Sequence, residues 1–207
     1  MKKLLLLLLA ACLLAPVVNA QNKALNKALE KEYKQKMKDY KKENWKLFGS
    51  SRSLDVALLL HYEKLNRLGD EATEEVGIAS KFKSKNIGHQ MAVNNACFTY
   101  AQKAESHLQG RLVGDMANEG VTEFDKFYAA YKREVEKEIK GEMKESYSVI
   151  RELGDGTFEM ETYFIVDEGA ASKARIRAME NAALESELAQ KYAQKVSDFV
   201  REGFKEE

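Results

Sequence analysis

The chain has 207 residues, with 33 Lys+Arg balanced by 33 Asp+Glu and 3 His. That balance gives no electrostatic case for nucleic acid as a partner, or for an anionic membrane acting on the whole chain. Of the two cysteines, Cys12 falls near the N-terminus and Cys97 stands alone, so the main body has no intramolecular disulfide and depends on its core.

Met1-Lys2-Lys3 is a short cationic start, Leu4 to Leu14 an apolar run, and Pro16 a helix breaker; Val18-Asn19-Ala20 then precedes Gln21. This is the order of a secretory signal peptide, so residues 1–20 are expected to be cleaved between Ala20 and Gln21. The expected destination is the periplasm, or association with the outer membrane. Leu9-Ala10-Ala11-Cys12 also has the form of a lipobox, which would make Cys12 a lipidated N-terminus. The short run before Cys12 and the apolar residues after it favour cleavage after Ala20.

Residues 22–44 predict a helix, with Leu25, Leu29, Tyr33, Met37 and Tyr40 on one stripe and lysines on the other faces. A basic amphipathic helix of this kind can lie on a membrane surface, although Glu30, Glu32, Asp39 and Glu43 dilute its charge and favour packing on protein. Trp45 to Phe48 reads as a short strand stopped by Gly49. A helix follows over 54–68, with hydroxyl residues ahead of it, Gly69 behind it, and Leu54, Leu58, Tyr62, Leu65 and Leu68 inward. Residues 73–82 read as a strand, with Val76, Ile78 and Phe82 on one side and Gly77 and Ala79 on the other.

A long helix is expected over 87–118, because Ala92, Ala96, Tyr100, Ala104, Leu108 and Leu112 recur every four residues. A shorter one follows from 123 to about Gly141, with Phe124, Phe127, Tyr131, Val135 and Ile139 inward. Residues 146–153 and 157–166 alternate as two strands, and Gly154-Asp155-Gly156 supplies the turn of a hairpin. The last pattern, 170–204, reads as one helix roughly 50 Å long, which must bend, overhang or pair. Asp167 and Glu168 stand at its start as helix-dipole partners, and Arg175 and Arg177 on it are candidate ligand or partner contacts.

The expected organisation is a signal peptide (1–20), a basic amphipathic helix (21–44) and a single α+β domain (45–207). Its fold class is α+β: a small mixed sheet of about four strands with long helices on one face, in two layers. His61, His89 and His107 stand apart, no His-Glu-x-x-His or Gly-x-Ser-x-Gly occurs, and Cys97 has no partner at metal-ligand spacing. No catalytic, cofactor-binding or metal residue is therefore expected, and no cofactor.

Val76-Gly77-Ile78-Ala79, the alanine-spaced helix through Ala92, Ala96 and Ala104, and the hairpin ending Tyr163-Phe164-Ile165-Val166 carry a resemblance. Residues 74–166 resemble a bacterial envelope module, that of small surface lipoproteins and of the N-terminal domain of the flagellar assembly protein T. The resemblance implies an envelope structural or interaction role and brings no catalytic residues with it. The leading expectation is a non-enzymatic exported protein that binds another envelope protein or a second copy through its long helices. The alternative is a periplasmic carrier with an aromatic pocket of Trp45, Tyr147, Phe158 and Tyr163; a hydrolase using Cys97 or a histidine ranks third.

Overall fold

The computed structural model describes residues 27–116, 121–185, 190 and 193–202. The expected signal peptide, with Cys12, Ala20 and Gln21, lies outside them. The chain divides between Trp45 and Lys46 into two units.

In the first unit, residues 27–42 form helix α1. Its end follows from local chemistry. Asn44 takes φ 59, a left-handed conformation that asparagine tolerates, and the Trp45 N–H donates to the Tyr40 carbonyl (2.9 Å). The Trp45 and Tyr40 rings meet edge-on at 6.3 Å, which supplies the apolar contact that accompanies this type of cap.

The second unit contains β1 (Lys46–Phe48), α2 (Leu54–Leu68), β2 (Ala72–Phe82), α3 (Lys85–Met116), α4 (Val121–Ile139), β3 (Lys144–Glu152), β4 (Phe158–Asp167), α5 (Glu168–Ala183) and α6 (Ala193–Glu202). The α+β class and the four strands are as the sequence reading has them. The strands lie in the order β1-β3-β4-β2, and each neighbouring pair is antiparallel rather than mixed. The reason is positional: β2 and β3 run the same way, but β4 inserts between them, so no parallel pair touches.

Helices take both faces of the sheet, not one. Thr162 pairs with Gly77 and Ser148, whereas its neighbour Tyr163 pairs with Val76 and Tyr147. Those two rows therefore point to opposite sides. On the Thr162 side lies α3, so close that a Cβ on Gly77 would stand 1.9 Å from the Ala92 carbonyl oxygen. On the Tyr163 side lies α2, whose His61 ring meets the Tyr147 and Tyr163 rings at 5.2 and 6.0 Å. The result is three layers.

The main core is on the α3 side. Ala92, Ala96, Tyr100, Ala104 and Leu108 are buried at the expected four-residue spacing. From Ala96 onward they meet Phe127, Tyr131, Val135 and Ile139 of α4, Ala171, Ala174 and Ala178 of α5, and Phe164 and Val166 of β4, whereas Ala92 packs with Ala79, Phe82, Ile150 and Met160. Small residues on α3 let backbone approach backbone, and the aromatic rings of α4 fill the remaining volume.

Three further local expectations are corrected. Phe82 does not share a side with Val76 and Ile78. A bulge between Ser80 and Phe82, with Lys81 at φ 57, turns it to join Ala79, Ile150 and Met160. On α2 the buried residues are Ala57, Leu58 and His61; Leu54, Tyr62, Leu65 and Leu68 are half-buried. The final helix is not continuous. α5 stops at Ala183, and α6 returns beside it, with Arg175 Nε donating to the Val200 carbonyl at 3.4 Å. Folding back buries Val196 and Val200, which a straight helix would leave in water.

Candidate functional site

The strand β1 is only three residues long, and Gly49 at φ 72 turns the chain off the sheet. The strand β3 continues past that point, so its first residues have no neighbour on the β1 side. Between this exposed edge and α2 lies a cleft of about 350 Å³. Its apolar walls include Leu47, Phe48, Leu60 and Tyr147, and the cations Arg52 and Lys64 line it as well. Neither cation makes an ion pair among the described residues.

Ser146 also lines the cleft. The pairing of β3 with β4 slips between Glu145 and Tyr147, which leaves Ser146 as a bulge residue outside the regular ladder. A bulge re-aims the side chain it carries. The Ser146 Oγ lies 2.9 Å from His61 Nδ1, and His61 Nε2 lies 2.5 Å from Glu74 Oε2. His61 is 1 % exposed and walled by the rings of Tyr62, Tyr147 and Tyr163, whereas the Glu74 side chain is 38 % exposed.

The directions of these bonds depend on the protons that the ring carries. A carboxylate only accepts, so Nε2 carries the proton that it donates to Glu74. When the imidazole is neutral, Nδ1 is then the acceptor and the Ser146 hydroxyl donates to it; when it is protonated, Nδ1 donates to Ser146 instead. The sequence reading missed this trio: the residues lie on α2, β2 and β3, and the serine is in place only through an irregular ladder. A serine inside an alternating strand carries no sign of that in the sequence.

Glu145 and Ser148 complete the polar lining of the cleft and bond to each other and to residues beyond it. Glu145 accepts from Ser148 (2.6 Å) and from His89 Nε2 (2.9 Å), and Ser148 shares a hydrogen bond with Thr162 (3.0 Å). Buried Glu75 takes Lys103 of α3 at 2.7 and 2.8 Å.

Arg175 and Arg177 do not line the cleft. Arg175 is 2 % exposed, donates to the Tyr100 hydroxyl at 2.5 Å, and pairs with Glu168. Burial pushes the Tyr100 phenol up to about 12 and moves the Tyr131 phenol in the same direction. Asp167 caps α5 through the Ala170 N–H (2.9 Å), as a helix-start acid should, but Glu168 reaches two turns on to neutralise Arg175. Arg177 bridges Glu138 (2.6 Å) and Glu142 (3.1 Å), joining α5 to the end of α4.

Cys97 is buried, with its Sγ 3.9 Å from the Met143 sulfur, and burial raises its thiol pKa. That environment suits a small apolar residue and not a nucleophile. The expected aromatic pocket does not form. Tyr147 and Tyr163 stack on each other at 4.5 Å, Phe158 stacks on Phe82 across the sheet, and Trp45 packs on Tyr40 in the first unit. Among the described residues no group of three or more His, Cys, Asp or Glu side chains could hold a metal ion. No helix among them is long and apolar enough to cross a membrane.

The fold is thus an α+β protein with an antiparallel four-stranded sheet between helical layers. No family model, curated protein or solved structure matches the chain.

Proposed function

We propose that this is an exported cell-envelope protein that works by binding, with the cleft beside α2 as the seat of a small anionic molecule. The leader over residues 1–20 and the envelope-module resemblance of residues 74–166 support the address. The observation that carries the binding role is Arg52 and Lys64, two cations without an ion pair among the described residues, against the single carboxylate Glu145 in a cleft of about 350 Å³. That volume is in the range of small-molecule sites, and apolar walls with a few convergent polar groups are their usual lining. Calorimetric titration with succinate and with a phosphate monoester tests it. Saturable binding that is lost in Arg52→Glu and in Lys64→Glu, with melting temperature unchanged, is expected; binding that ignores both substitutions removes the reading.

A second reading, an interaction role through a protein partner or a second copy, is favoured by α2 itself. Val56, Leu59 and Leu60 are 42 %, 56 % and 39 % exposed on that helix. A photo-crosslinker at position 59 should then trap one defined envelope partner or a dimer. A monomer by light scattering with no crosslinked species argues against it.

A further inference from the structure

We propose that Ser146 is a nucleophile activated by His61, and that the cleft hydrolyses a small carboxylic ester that carries an anionic group. The inference deepens the cleft reading above and rests on it for the seat of the substrate. Three observations converge. The contacts are placed as activation requires: in the neutral ring that donates from Nε2 to Glu74, His61 Nδ1 accepts from the Ser146 hydroxyl. The bulge that frees Ser146 from the ladder sets it in the lining of a cleft of about 350 Å³. Arg52 and Lys64 line that same cleft without an ion pair among the described residues, and they outnumber the one carboxylate of the lining, Glu145, which is engaged by Ser148 and His89.

The bare need to satisfy a buried imidazole explains one partner at each ring nitrogen. It does not explain why the partner at Nδ1 is a serine at an open cleft, or why cations wait beside it.

The step balances with water as the only co-reactant. As Ser146 Oγ bonds to the ester carbonyl carbon, its proton passes to His61 Nδ1, and the carbonyl electron pair moves to oxygen. Glu74, a positioning residue, holds the ring and offsets the imidazolium charge. Collapse of the adduct expels the alcohol, which takes the proton from His61 and leaves an acyl-Ser146. His61 then draws a proton from water, the hydroxide displaces the acid, and Ser146 recovers its hydrogen. Arg52 and Lys64 supply positive charge for the anionic group of the substrate and for the developing oxyanion.

The test uses the purified exported protein and a fluorophosphonate, which phosphonylates an activated serine with loss of fluoride. Peptide mass spectrometry should find Ser146 modified at least about a hundredfold faster than exposed Ser51. The labelling should vanish in Ser146→Ala and fall at least about tenfold in Glu74→Gln, a substitution at a partly exposed site that spares buried His61. Hydrolysis of the 4-nitrophenyl monoester of succinate should exceed that of 4-nitrophenyl acetate, with KM raised in Arg52→Glu. Labelling of Ser146 no faster than Ser51, or labelling unchanged in Glu74→Gln, overturns the inference. Succinate binding measured on Ser146→Ala separates the two ideas: if it persists while wild-type labelling fails, the relay alone is wrong. Absent binding removes the cleft reading as well.

Discussion

Arg175 shows what a single buried charge demands. Its guanidinium is almost fully enclosed and is satisfied by Tyr100, Glu168 and the Val200 carbonyl. Glu168→Gln would leave that charge without its counter-ion. The expected cost is about 2–4 kcal/mol in urea unfolding, less than for a fully buried pair because Glu168 is partly exposed. Arg177→Ala, at a surface bridge, should cost under about 1 kcal/mol. The Tyr100 phenol gives a pH signature. Its folded pKa is raised by burial to about 12, against about 10 unfolded, so its contribution is intact below pH ~10 and is lost as the pH rises towards 12. Stability should therefore fall over that window, and in Tyr100→Phe this part of the alkaline loss should shrink, as read by pH-dependent urea melts. Cys97, enclosed and shifted up by burial, should resist iodoacetamide in the native state and react after unfolding.

At the scale of elements, the contact of β2 with α3 is the most exacting. A Cβ on Gly77 would stand 1.9 Å from the Ala92 carbonyl oxygen, which belongs to helix backbone and cannot swing aside. Gly77→Ala is expected to cost about 3 kcal/mol or more in urea unfolding. Gly88→Ala meets the Phe82 ring at 2.2 Å, and a ring can yield. Its cost should be smaller, about 1–2 kcal/mol, offset in part by the better helix propensity of alanine. The alanine row of α3 and the aromatic row of α4 were legible in the sequence because a buried helix face repeats at a fixed spacing. The side taken by Phe82 and the aim of Ser146 were not, because each depends on one extra residue in a ladder. Such a slip leaves the alternation of apolar residues looking intact while it reverses a side chain. The break between α5 and α6 was hidden for a related reason: the apolar stripe runs on, and no glycine or proline marks the turn.

For the molecule as a whole, the export proposal has a direct measurement. N-terminal sequencing of protein from the osmotic-shock fraction should begin at Gln21; a lipidated Cys12 in the membrane fraction would replace that outcome. From the sequence alone came the α+β class, the hairpin and the helix row that faces the sheet. All of these depend on residue type and on spacing along one element, where neighbours are set by 3.6 or 2 residues per repeat. Tertiary structure alone decided the strand order, the placing of helices on both faces, and the meeting of Ser146, His61 and Glu74 beside two cations. Those depend on which elements become neighbours after the chain has travelled far along its length. Local periodicity is blind to that distance, and the packing of α2 and α3 on opposite sides of one sheet supplies it.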